Sequence, residues 1–400
     1  MCMDDGICPA KLDNLDDVMK MIGAPALLWL SAQLIAAETV TLDNVDPPAE
    51  ISADEPFAPA FSLEQAARSL DTAALDWQKT RACTACHTML PYLMARPALS
   101  SISPQSAEVR HFFEEVAAGR REAMPAYSCK DLGGAVEVGI ASALAMNDRQ
   151  TTGKLHPLTR QALDRMWKLQ RPDGGWDWPF RDTPPLKVNE HYGVTLAAIG
   201  AGSAPDDYAD TATAKAGLEG IRRYLAGTKP ADLHQSAMLL WASRLVEPLL
   251  SSDEQSEIVS RLLAAQRPDG GWSLASLVDN SKDPALKEPD RAAVLKAEPG
   301  FGTEFLIYVG RDGVYKSSLA SDGYATGFVI FVMRQAGVPA ADPRLRKGIA
   351  WLKTRQRASG RWFTPSQSWH KQHLISNAGT AYCVLALSAC GETPAGRPLK

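Results

Sequence analysis

The sequence has almost no charge imbalance: 42 Lys and Arg stand against 46 Asp and Glu in 400 residues, a net charge of −4. Nothing in that balance recruits a polyanion, so nucleic acid is not an expected partner. Cysteine is scarce as well. There are seven, and Cys2 and Cys8 fall in an upstream segment. Cys383 and Cys390 lie on one predicted helix, roughly 10 Å apart by the helical rise, too far to bridge. A disulfide scaffold is therefore excluded. The apolar run from Ile22 to Ile35 is too short to span a bilayer comfortably. What is there is an ordinary globular composition, 45% apolar and 22% charged.

The apolar run reads as an export signal. Lys20 precedes it, and Ile35-Ala36-Ala37 supplies small residues before Glu38. Asp4, Asp5, Asp13, Asp16 and Asp17 are wrong for a signal's first residues, which points to translation starting at Met19 or Met21. A buried first helix is the competing reading. Residues 1–37 are thus expected to be a leader, 38–62 an acidic, Pro-rich linker, and 63–395 the folded body. Such a signal places the chain in the periplasm or outside the cell.

Three segments share one pattern: Gln170-Arg171-Pro172-Asp173-Gly174-Gly175-Trp176, Gln266-Arg267-Pro268-Asp269-Gly270-Gly271-Trp272 and Gln356-Arg357-Ala358-Ser359-Gly360-Arg361-Trp362. Each closes an amphipathic helix; before the third, Leu345, Ile349 and Leu352 form an apolar stripe opposite Arg344, Arg346, Lys347 and Lys353. The Gln amide can bond exposed backbone at a helix end, and the Trp can pack between neighbouring helix pairs. Three copies make the pattern strong. A second kind of helix, such as Tyr324 to Met333 or Ala378 to Ala389, is apolar on every side and must be buried on every side.

The pattern resembles the Gln-Trp repeat of squalene-hopene and oxidosqualene cyclases, most clearly over residues 157–391. Protein prenyltransferase β-subunits share the fold that this resemblance implies, an all-α (α/α)6 toroid. Outer helices fit at about 64–79, 104–120, 157–170, 211–226, 253–266 and 342–356, and inner ones at about 84–99, 132–147, 190–200, 232–246, 322–337 and 376–391. Six pairs close one ring, so residues 63–130 belong to it. The Asp-x-Asp-Asp acid motif of hopene cyclases and the Asp-x-Cys zinc ligands of prenyltransferases are absent. Asp322 is the nearest candidate acid, and it could act only if burial raised its pKa strongly. Whether the chain is an enzyme stays open at this point.

In such a ring the inner-helix starts meet at one end of the cavity. Cys83, Cys86, His87, Glu190, His191, Tyr192, His234, Gln235, Asp322, Tyr324, Asn377 and Thr380 should gather there. The plain reading makes Asp322 and Asn377 helix caps, His191 and His234 satisfied rim histidines, and Glu190 a solvated side chain.

Cys83-Thr84-Ala85-Cys86-His87 is more specific. Two thiols can form thioethers to haem vinyl groups while the adjacent His ligates the iron, giving haem c. A Cys83–Cys86 disulfide, a zinc site with a distant fourth ligand, or no cofactor are the alternatives. Met124, followed by Pro125, resembles the Met-Pro step of small c-type cytochromes and is the candidate sixth ligand, with His191 or His234 behind it. Between Ser273 and Ala320 the third outer-to-inner connection of the repeat region is unusually long. It contains a predicted hairpin, Phe305 to Val309 turning into Val314-Tyr315, and suits a lid or a peripheral ornament.

Together these features predict an exported, haem-bearing toroid with redox or haem-assisted activity toward an apolar, isoprenoid-like ligand, and with a redox partner. A membrane surface is compatible with that ligand. A haem-free terpenoid cyclase or transferase using Asp322, and a non-catalytic lipid-binding scaffold, are the two alternatives.

Overall fold

In the computed structural model, residues 39–84, 86–120, 133–178, 185, 190–278, 292–295, 305–310, 313–366 and 372–394 are described. The expected leader and Met124 lie outside them. Six outer helices are α1 (Leu63–Arg81), α3 (Glu108–Ala117), α5 (Pro157–Lys168), α7 (Ala212–Gly227), α9 (Ser252–Ala264) and α11 (Pro343–Arg355). Six inner ones alternate with them: α2 (Met89–Ala95, continued by a 3₁₀ turn Arg96–Leu99), α4 (Gly133–Gln150), α6 (Glu190–Ser203), α8 (Leu233–Ser243), α10 (Gly323–Gln335) and α12 (Ile375–Ala389). Among the described residues no helix is long and apolar enough to cross a membrane.

The two sets differ as their sequences require. In α11, Leu345, Gly348, Ile349, Trp351 and Leu352 are buried while the cations face out. In α10 every residue from Gly323 to Met333 is buried. Each inner helix packs on the next, and α12 returns to α2. The fold is an (α/α)6 toroid.

The repeats are the stitching. Gln170 Nε2 donates to Gly174 O at 3.0 Å within its own turn and to Gly217 O at 2.9 Å on the next outer helix. Gln266 Nε2 does the same with Gly270 O at 2.8 Å and Arg344 O at 2.7 Å. Gln356 Nε2 reaches Gly360 O at 2.9 Å and Ser62 O at 2.8 Å, so the last repeat grips the start of the first outer helix and closes the ring. Trp176, Trp272 and Trp362 are fully buried, each indole N–H donating back to a carbonyl of its own outer helix. The turn glycines Gly174, Gly270 and Gly360 have φ near +90°, where L side chains are strained. A Cβ on Gly174 or Gly360 would also sit 1.9 or 2.2 Å from a carbonyl of the neighbouring outer helix.

Two expectations need adjustment. The stretch read as a linker is structured from Thr39 on: Ala58 N–H donates to Gln356 O, and Glu55 contacts Arg357 and Ser359. The long connection does contain the expected hairpin, Phe305–Gly310 (β2) against Gly313–Ser318 (β3), and a further strand, Ala292–Leu295 (β1), extends it to an antiparallel sheet in the order β1-β2-β3. The ring itself is all helical; this sheet is its one β insertion among the described residues.

Candidate functional site

The centre of the ring is aromatic. Tyr192 of α6, His234 of α8, Tyr324 and Phe328 of α10 and Tyr382 of α12 come from four successive inner helices and meet there. The Tyr192 and His234 rings stack with centroids 6.2 Å apart, and His234 stacks on Phe328 at 4.5 Å. Tyr382 stands edge-on to Tyr324 at 5.1 Å and to Phe328 at 5.2 Å. Trp178, two residues beyond a repeat Trp, packs against Tyr192 at 6.0 Å. The phenols of Tyr192, Tyr324 and Tyr382 all have raised pKa values, first from burial; neighbouring phenols raise Tyr192 and Tyr324 further, while the hydrogen bond with Tyr324 partly offsets the rise at Tyr382. The cluster is neutral near pH 7, and it presents ring faces and edges rather than charge.

The expected rim residues do not share one role. His234 is pulled down to about 3 by burial, and its Nε2 lies 3.0 Å from the Tyr324 hydroxyl. His191 is equally buried, pulled down to about 4, and neither ring nitrogen has a partner among the described residues. Its register explains the position. Thr195 and Thr380 each donate back to the carbonyl four residues earlier, and Ser236 likewise. Thr326 and Thr380 each accept from a repeat Trp N–H. His191, Asp232, Asp322 and Ser376 therefore hold equivalent places. Asp232 caps Gln235 N–H at 2.8 Å, Asp322 caps Ala325 N–H at 3.0 Å, and Ser376 Oγ accepts Thr364 N–H at 2.9 Å. His191 holds the equivalent place and caps nothing among the described residues.

Asp322 is the expected cap and also the expected buried acid. Burial pushes it up to about 7 against the donors Leu274 N–H, Ala325 N–H and the Thr364 hydroxyl. Glu190 is not a solvated side chain: it pairs with Arg171, which also holds Asp173, Asp177 and the Trp176 carbonyl, so it belongs to the repeat turn. Nor is Asn377 a cap. It is the third residue of α12, whose N-cap is Leu374, and its Nδ2 donates to Thr88 Oγ1 at 3.0 Å. Gln235 wraps back to accept Ala231 N–H, and Thr380 is part of the repeat stitching.

The Cys-x-x-Cys-His segment lies in the connection from α1 to α2, just before the inner helix. Cys83 and Cys86 are half-buried and not joined in a disulfide. Both pack against the buried core to which Tyr192 belongs. His87 Nδ1 lies 2.7 Å from Thr88 Oγ1, and the ring meets Trp77 edge-on, centroids 4.6 Å apart and planes at 87°. The Trp77 indole N–H is buried, with no acceptor among the described residues. Among the described residues no three His, Cys, Asp or Glu side chains are gathered to hold a metal ion. Two thiols with an adjacent imidazole are the groups that thioether attachment and iron ligation of a haem require. The donor set fits haem.

Sequence reasoning missed Trp77, Thr88, Trp178, Phe328 and Tyr382. Two of them had a signal: Thr88 follows the motif directly, and Phe328 stands one helical turn after Tyr324.

No family model matches the chain, and no curated protein does. Among solved structures, a glycosidase bound to glucose is 11% identical and superposes with a TM-score of 0.51, covering 83% of this chain and 98% of its own. A polysaccharide lyase (13% identity, TM-score 0.46, 82% and 97%) and the type II terpene cyclase MstE from Scytonema (12%, 0.42, 81% and 98%) are more distant in shape. At such identities the likeness concerns the fold alone.

Proposed function

We propose that this chain is an exported toroid that carries haem covalently on Cys83 and Cys86, and that it performs redox or haem-assisted chemistry on an apolar, isoprenoid-like ligand. One observation carries the reading: Cys83 and Cys86 pack against the same buried core that holds Tyr192, Tyr324, Phe328 and Tyr382. Bound haem supplies a one-electron iron couple that a redox partner can address. The chain's own part is to hold and shield. Cys83 and Cys86 fix the group, and His87 presents an imidazole whose plane is set by Thr88 and Trp77. Tyr192, Tyr324, Phe328 and Tyr382 offer an apolar face that excludes water.

The test is exported expression of the full chain with a cytochrome c maturation system. The expected outcome is a red protein with a Soret band, a pyridine haemochrome spectrum, and an intact mass raised by one haem after acid-acetone extraction. A bare-chain mass with an empty visible spectrum overturns the reading. Met124 as sixth ligand belongs to this proposal. So does His191, but His234 is already committed to Tyr324.

A second reading, a haem-free terpenoid cyclase or transferase, is favoured by Asp322, whose carboxyl is pushed up to about 7 and so retains a proton near neutral pH. It requires that colourless protein convert an isoprenoid and that Asp322→Asn abolish conversion without unfolding the ring. Lipid co-purifying from colourless, inactive protein would instead indicate a binding scaffold.

A further inference from the structure

We propose that Thr88 and Asn377 are positioning residues for His87, and that they set the electron density of its imidazole from opposite directions. The inference rests on the haem reading above. Thr88 is buried, and its hydroxyl oxygen is shared: His87 Nδ1 lies 2.7 Å away and Asn377 Nδ2 3.0 Å away. An amide nitrogen only donates, so one lone pair of Thr88 Oγ1 is occupied by Asn377. A neutral imidazole that ligates through Nε2 carries its proton on Nδ1. His87 then donates that proton to the second lone pair of the same oxygen. Such an outer hydrogen bond fixes ring orientation and raises the ligand's basicity.

Two consequences of opposite sign follow. Removing the Thr88 oxygen deprives His87 of its acceptor, leaves the imidazole a poorer electron donor and favours ferrous iron. Removing the Asn377 amide takes away a competing donor, makes Thr88 Oγ1 the better acceptor for His87 and favours ferric iron. Asn377 sits on the last inner helix and Thr88 precedes the first, so the iron's potential is tied to the place where the ring closes.

Midpoint potentials of haem-loaded full-length protein test this, with intact mass measured on every variant. Thr88→Val should raise the ferrous-to-ferric ratio at a fixed applied potential about tenfold, about 59 mV for a one-electron couple. Thr88→Ser, which keeps the oxygen, should stay near wild type. Asn377→Leu should lower the ratio about threefold. A merely structural role predicts no such change of sign. Unmoved potentials, or shifts in the same direction for Thr88→Val and Asn377→Leu, with haem still attached, overturn this inference and leave the haem reading standing. Should Thr88→Val fail to fold, the Asn377→Leu shift decides: downward supports the proposal, and upward or absent overturns it. A wild-type chain without the added mass overturns both.

Discussion

Two stretches of the ring solve one packing problem with different chemistry. At three joints between outer helices, α5 to α7, α9 to α11 and, across the closure, α11 to α1, a neutral amide donates to backbone carbonyls: Gly217, Arg344 and Ser62. From α1 to α3 no such turn exists. There Arg96, fully buried, spans from the Asp71 carboxylate, at 2.8 and 3.0 Å, to Ser103 and to the Pro104 carbonyl. Burial pushes the Asp71 carboxyl up even with the guanidinium beside it, so desolvation outweighs the pairing. The amide joint asks nothing of its neighbour's side chains. The ionic joint requires one particular partner, and losing it strands a buried charge.

Mutating both joints tests the contrast most severely. Arg96→Met should cost about 3–5 kcal/mol in denaturant unfolding, because Asp71 is left buried and unpaired. The double variant Asp71→Leu with Arg96→Met should recover most of that loss. In the repeat half, Trp272→Ala should cost about 3–5 kcal/mol as a cavity, with no second substitution at a polar site restoring it. A double variant as unstable as Arg96→Met would erase the distinction.

The turn glycines give a smaller, graded effect. Alanine at Gly174 or Gly360 meets a neighbouring carbonyl at 1.9 or 2.2 Å, while at Gly270 the nearest is 3.0 Å away. All three share the roughly 1–2 kcal/mol strain of positive φ. Gly270→Ala should therefore be the mildest, the other two losing about 1–3 kcal/mol more by overpacking. Equal melting temperatures for the three variants would mean that the joints are not sealed by close approach.

Acid sharpens the comparison least. The repeat half buries His191 and His234, pulled down to about 4 and about 3 from 6.5. Their folded pKa values lie below the unfolded ones, so their contribution to stability is complete above pH 6.5 and is lost as pH falls through 4. His191→Leu should flatten the decline in unfolding free energy between pH 6.5 and 4, by roughly 1–3 kcal/mol at the lower end. An unchanged slope would show that protonation of His191 is not among the causes of acid sensitivity.

The same asymmetry governs what could be read from the sequence. Gln, Gly and Trp at fixed spacing were legible because their partners are backbone, present whatever the neighbour's sequence. The six helix pairs followed from periodicity and all-round apolarity. Asp71 and Arg96 were not legible, since a pair 25 residues apart leaves no local pattern. At the site, Cys83, Cys86 and His87 were legible as a motif, and Tyr192, His234 and Tyr324 as inner-helix starts. The role of Asn377 was not. Its partner Thr88 lies 289 residues away, and only the closing of the ring brings them together.

That closure bears on how the molecule comes apart. In an open stack of repeats the terminal unit has one neighbour and frays by losing one interface. Here the grip of Gln356 on Ser62 gives the first helix pair two neighbours, so it cannot peel away without two interfaces failing at once. Unfolding should then be a single cooperative event rather than a progressive loss from either end. The Cys83–His87 segment, early in the chain and otherwise exposed to such fraying, is held at the same depth of protection as the middle of the ring.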